Sequence, residues 1–118
     1  MIQVRIHDGT LSVHFPPWTR PFVRAGQVDV PLEAIADVHH LDQPLAAAKG
    51  LRSGLVVSGY TKVGTWTSFS GVKRLVAARR GVPGVRIVLK HRVAGVDELI
   101  LGVQDAKEIQ RRLTQVQQ

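Results

Sequence analysis

The chain contains no cysteine. Disulfides, thiolate zinc sites and cysteine nucleophiles are excluded together, and the composition fits a reducing compartment. No apolar stretch approaches the ~20 residues that a membrane-spanning helix needs. The opening Met-Ile-Gln-Val-Arg-Ile lacks the charged segment and apolar run of a secretory leader, so the cytoplasm is the expected location. Long tracts of Ser, Gln or Pro are missing too, and no large disordered tail is expected. A fifth absence is regional. Between Asp42 and Asp97 there is no acidic residue, while the same interval holds Lys49, Arg52, Lys62, Lys73, Arg74, Arg79, Arg80, Arg86, Lys90 and Arg92. The formal net charge of +7 is therefore concentrated in one part of the chain.

What is present suits one globular domain spanning 1–118. Apolar residues make up 44% and charged residues 21% of 118, and a chain of this length buries roughly two-thirds of its unfolded surface. The pattern is mostly that of strands. Ile2, Val4 and Ile6 alternate with polar residues, as do Leu11, Val13 and Phe15. Asp8-Gly9 between them is a two-residue hairpin signal, because a type I′ turn needs positive φ at both positions. That turn pairs Ile6 with Leu11, Val4 with Val13 and Ile2 with Phe15, which places all six apolar side chains on one face.

Pro16-Pro17 ends the second strand, and Trp18 and Phe22 are expected at the rim of the core. Val28 and Val30 point inward from a short strand, and Ile35–Leu41 forms the next. Asp42 as N-cap, Pro44 in the first turn and Gly50 beyond the end predict a short helix. Residues 51–71, with four glycines, read as the least regular segment, with a short strand at 55–57. Strands are expected at 72–78, through Val85, Ile87 and Leu89, and at 98–103, with a turn at Ala94-Gly95. Asp105 and Glu108 form a capping-box pattern. Ala106, Ile109, Leu113 and Val116 then make one apolar helical stripe that must cover an opening in the β-structure.

About seven strands closed by one C-terminal helix is the element order of a pleckstrin-homology-like (PH-like) domain. Val30-Pro31-Leu32 ahead of Ile35 and Val38, then Asp42 and Pro44, then Gly50-Leu51-Arg52, then Gly64-Thr65-Trp66 with Phe69, resemble a family of small bacterial PH-like proteins of unassigned function. The run from Leu101 to Asp105 into the helix is similar as well. The resemblance implies a mainly β, partly open barrel of about seven antiparallel strands in two near-orthogonal sheets, plugged by the helix. It also implies self-association into ring-like oligomers. Eukaryotic relatives bind phosphoinositides through basic residues in the first hairpin loop. Here that loop is His7-Asp8-Gly9-Thr10, with no Lys or Arg, which argues against an inositol-lipid ligand. Fold by itself does not carry function.

The residues point away from catalysis, metal and cofactor. His14 lies opposite Gln3, about 13 Å along the strand from His7, and the adjacent His39 and His40 point to opposite faces. Asp37 and His39 share a face and can touch, as a surface ion pair. Gly59 to Gly64 lacks the following GK[ST] of a phosphate loop. A non-catalytic module acting through protein–protein contacts, with its own copies among the partners, is the leading expectation. Sheet edges that accept an added strand provide the means. The alternative is non-specific binding of nucleic acid or acidic lipid through the 49–92 region. In that reading the candidate surface is Lys49, Arg52, Tyr60, Lys62, Trp66, Lys73, Arg74, Arg79, Arg80 and Arg86, with the aromatics available for base stacking. An enzyme with a small pocket near Trp66 ranks last.

Overall fold

The computed structural model describes residues 2–17, 26–44, 51–57, 61–68 and 70–117, with only the backbone path for 51–57 and 116–117. Strands β1 (Gln3–His7) and β2 (Thr10–His14) form the expected hairpin. Asp8 and Gly9 both adopt positive φ, 51° and 73°, and Ile6 pairs with Leu11 and Val4 with Val13. β3 (Gln27–Pro31) adds to β2 and buries Val28 and Val30. These three strands make one sheet, in the order β1-β2-β3.

Pro31 and a 3-10 turn at Leu32–Ala34 then lift the chain into a second sheet. It comprises β4 (Ile35–Leu41), β5 (Leu51–Val57), β6 (Thr61–Thr67), β7 (Lys73–Arg79), β8 (Gly84–Val93) and β9 (Val96–Gly102). Their order is β4-β8-β9-β7-β6-β5. β8 and β9 form a hairpin over Ala94 and Gly95, both at positive φ. β9 inserts between β7 and β8 and runs parallel to β7. Composition explains the central place of β9. Leu99, Ile100 and Leu101 are consecutive and fully buried, and a strand apolar on both sides must have both faces covered.

Two expectations are corrected here. The described residues form nine strands in two separate sheets that do not close into a barrel, and one strand pair is parallel. The glycine-rich 51–71 segment is not irregular: it supplies the long antiparallel pair β5 and β6, with Gly54 opposite Gly64. Glycines interrupt the apolar alternation there without interrupting the ladder. The expected positions of Trp18 and Phe22, and residues 45–50 of the helix expected over 42–50, lie outside the described residues. Pro44 is fully buried.

The main core lies between the sheets. Leu11, Val13, Phe15, Val28 and Val30 come from the small sheet, and Val85, Ile87, Leu99 and Leu101 from the large one. Helix α1 (Ala106–Gln117) completes it with Ala106, Ile109 and Leu113, all buried, while Lys107, Glu108, Arg111 and Arg112 face solvent. The helix packs on β4, β8 and the 3-10 turn. The described residues are therefore mainly β, in two sheets with one C-terminal helix.

Candidate functional site

The large sheet has a second face, turned away from the shared core. Strand parity places Trp66 of β6, Val76 and Ala78 of β7 and Ile100 of β9 on it. These four pack into a separate apolar cluster against Leu41. Toward the start of β7 the same face turns polar. Arg74 on β7 lies directly across from Glu98 on β9. Arg86 on β8 lies across from Ile100, one diagonal step from Glu98. Diagonal neighbours are within reach of a long side chain.

Glu98 is only 4% exposed. A carboxylate in such a place has to be paired and hydrogen-bonded to remain charged. Both of its oxygens are committed. Nε of Arg74 donates to Oε2 at 2.9 Å and Nε of Arg86 to Oε1 at 2.6 Å. Nη2 of Arg86 approaches the same Oε1 at 2.5 Å. The Arg74 side chain is 17% exposed and that of Arg86 38%. The two guanidinium groups share this carboxylate, and on the other side of β8 His39 and Asp37 lie across from Arg86 and Val88 on the same face.

The neighbouring turn is held by a second set of bonds. Asp97 Oδ2 accepts the backbone N–H of Lys73 at 2.9 Å, and Nε of Arg92 lies 3.2 Å from Oδ1. Nη2 of Arg92 continues to the carbonyl of Gly71 at 3.0 Å. The Lys73 amide, opposed in part by desolvation and helped by Arg92, holds the Asp97 carboxyl below the usual aspartate range. Ser68 Oγ accepts the Val72 N–H at 3.1 Å and meets Ser70 Oγ at 2.9 Å. The result is an open cleft of about 510 Å³ with Arg74, Arg86 and Glu98 on its floor and Ser70, Val72, Val88 and Asp97 on its walls.

The basic residues of the 49–92 interval do not converge on this cleft. Arg74 and Arg86 reach it and are tied to Glu98. Lys73 and Arg79 stand at opposite ends of β7, about 20 Å apart for a strand of that length. Arg80 is exposed in the turn beyond. Lys62 is half-buried opposite Ala78. Trp66, 3% exposed, is a core side chain and not a stacking platform. Lys49 and Tyr60 lie outside the described residues. Arg52 pairs with Trp66 through the backbone, its side chain likewise outside the description. Sequence reasoning missed Asp97 and Glu98. The available signal was two acids, the first after the long basic interval, set in an otherwise apolar strand.

Three histidines meet separate carboxylates, and one of them, His39, lies across from Arg86. His7 meets Asp8 at 2.9 Å, His39 meets Asp37 at 3.1 Å and His40 lies 3.7 Å from Asp42. The expected Asp37–His39 contact is present, as an exposed pair on the edge strand β4. Among the described residues no three His, Asp or Glu are grouped to hold a metal ion, and no helix is long and apolar enough to cross a membrane.

A second feature is an edge. Proteins guard exposed strand edges with proline, charge, bulges or a covering element. β3 ends in Pro31 and carries Asp29, bonded to Ser12 at 2.8 Å and Gln27 at 2.7 Å. β4 has a register irregularity between Ile35 and Asp37, and Gln110 of α1 reaches the Val38 carbonyl at 3.5 Å. Among the described residues β1 has no proline, bulge or covering element; its one guarding charge is Arg5, and Ile2, Val4 and Ile6 form a half-buried apolar row against the core. In a two-residue hairpin the residues flanking the turn form a hydrogen-bonded pair. Gln3, Arg5 and His7 therefore bond to β2, and the backbone groups of Val4 and Ile6 point outward.

Comparison with protein-family models, curated proteins and solved structures yields no match.

Proposed function

We propose that this protein is a non-catalytic binding and assembly module acting through protein–protein contacts, with a second copy of itself as first partner, joined edge to edge through β1. The observation that carries the reading is the β1 edge, guarded among the described residues by Arg5 alone, with its half-buried row of Ile2, Val4 and Ile6. The strand is suited to a two-fold partner. With Val4 on the axis, Ile2 falls opposite Ile6 of the second copy and Arg5 opposite Gln3. The apolar face continues across the junction and no like charges meet. Such a junction makes about six new backbone hydrogen bonds, two for each hydrogen-bonded pair. It joins two three-stranded sheets into one of six.

The element order of a small meander, a larger sheet and a C-terminal helix supports a PH-like module, with the parallel β7–β9 pair as a departure from an all-antiparallel plan. The scattered basic residues disfavour the polyanion reading. The separately placed histidine–carboxylate pairs disfavour an enzyme. Sedimentation velocity over a wide concentration range tests the proposal. Self-association should be concentration-dependent in the native chain and lost in Val4→Lys, which puts a charge at the centre of the junction while leaving the β1–β2 ladder paired. A native chain that stays monomeric at every concentration overturns it.

A further inference from the structure

We infer that Arg5 gates the β1 junction: two copies of it, brought together there, form a binding site for one compact dianion of the phosphate type. The inference rests on the edge-to-edge reading of β1 and adds what controls it.

The outer face of the small sheet supplies the charges. Among the described residues its titratable side chains are Arg5, His7, His14 and Asp29. His7 meets Asp8 at 2.9 Å. Asp29 is held by Ser12 and Gln27. It lies two strands from Arg5, beyond Ser12, which is about 10 Å away. His14 lies opposite Gln3 and diagonal to Asp29. Arg5 itself is exposed. Ser12 stands across from it, with Thr10 and His14 on the diagonals, so no carboxylate of its own sheet is its direct neighbour. Among the described residues no ion pair engages it.

Pairing about Val4 sets Arg5 opposite Gln3 of the second copy, and therefore diagonal to Arg5 of the second copy. Diagonal neighbours are about 7–8 Å apart, so the two long side chains reach one ion between them. With that space empty the guanidinium groups repel, and this is how the one guarding charge of the edge acts. An anion held between them removes the repulsion and ties the copies together.

The symmetry of the junction selects the ligand. A tetrahedral oxyanion is itself two-fold symmetric and offers two oxygens to each copy, the two-point match that a guanidinium fork makes. A dianion neutralises both arginines, whereas a monoanion leaves one charge unbalanced. Gln3 of each copy, opposite an arginine, adds an amide N–H. The group can be free phosphate or the phosphate of a monoester, which share this chemistry.

Sedimentation velocity of the full-length chain, with chloride replaced stepwise by inorganic phosphate at constant ionic strength, tests the inference. Constant ionic strength keeps screening unchanged. Self-association should tighten about tenfold once phosphate stands at about ten times its dissociation constant. Sulfate should act in the same way, and acetate, a monoanion, should not. Glycerol 3-phosphate separates the sources: action equal to that of phosphate admits monoesters to the site, and weaker action assigns it to the free ion. Arg5→Gln removes both the repulsion and the site. It should associate in chloride at least as tightly as the native chain and ignore phosphate. Arg5→Lys keeps the charge without the fork and should respond more weakly than the native chain. Arg80→Gln, in a turn of the large sheet, should respond in full. A native chain that associates equally in chloride and phosphate overturns this inference and leaves the β1 junction standing. A chain monomeric in both overturns the two together. An Arg5→Gln variant that responds to phosphate as the native chain does also overturns the inference.

Discussion

Replacing Glu98 by glutamine keeps the size of the side chain and removes its charge, leaving Arg74 and Arg86 facing each other across a neutral amide. Removing one partner of a fully buried ion pair costs about 3–5 kcal/mol, because the remaining charge is left uncompensated. Arg86 is 38% exposed and partly screened by water, so a smaller loss of roughly 2–3 kcal/mol is expected. With an unfolding entropy near 0.25 kcal/mol/K for a chain of this length, that corresponds to a fall in Tm of about 8–12 °C. The triple replacement R74M/E98L/R86M removes all the charges together and should lie within about 1 kcal/mol of the native chain, since a buried ionic cluster is often no more stabilising than apolar residues of similar volume. Urea and thermal unfolding followed by circular dichroism measure both. A Glu98→Gln variant within 0.5 kcal/mol of native, judged against that ~2 kcal/mol lower bound, would refute the view that the carboxylate neutralises the face. A triple variant as unstable as the single one would refute the charge argument in favour of shape.

Other measurements test other parts of the molecule. A Cβ at Gly84 would sit 2.7 Å from the Leu101 carbonyl oxygen and 2.7 Å from Pro44 Cβ, so Gly84→Ala should cost about 2 kcal/mol or more. Gly81 has open space around it but a φ of +82°, so Gly81→Ala should cost only about 1 kcal/mol, through the backbone. Leu113→Ala removes a side chain that joins the helix to the core at 1% exposure and should lower stability by about 3 kcal/mol in chemical denaturation. At the β1 junction, Gln3→Glu faces Arg5 of the second copy and Gln3→Arg repeats its charge. Two such cross-strand pairs per dimer should tighten or loosen self-association about threefold to tenfold, in opposite directions and with salt dependence. Asp97 has its folded pKa depressed by the Lys73 amide and Arg92. Its contribution to stability is present above the unfolded pKa of about 3.9 and is lost as pH falls through the lower folded value. Acid unfolding of Asp97→Asn should therefore be less steep than that of the native chain below about pH 4.

How much was legible in the chain differs by element. The first hairpin, with its turn type and register, follows from Asp8-Gly9 and two alternating runs, because its contacts are local and the turn admits one pairing. The C-terminal helix follows from its apolar stripe for the same reason. Strands β5 and β6 were under-read because Gly54 and Gly64 carry no side chain to show an alternation. Their ladder shows only in pairing with each other and with β7.

The sequence by itself determined that the protein is mainly β, that its first two strands form a type I′ hairpin and that one amphipathic helix ends the described chain. Only the tertiary structure decided the insertion of β9 between β7 and β8. Pairing partners of a two-sided apolar strand are chosen by the whole sheet and not by local periodicity. That choice also decided the site. Arg74, Arg86 and Glu98 are separated by twelve residues or more in sequence. They meet because a parallel and an antiparallel neighbour bring their faces into register. It turned an apparent run of unopposed basic residues into two arginines held by one buried carboxylate.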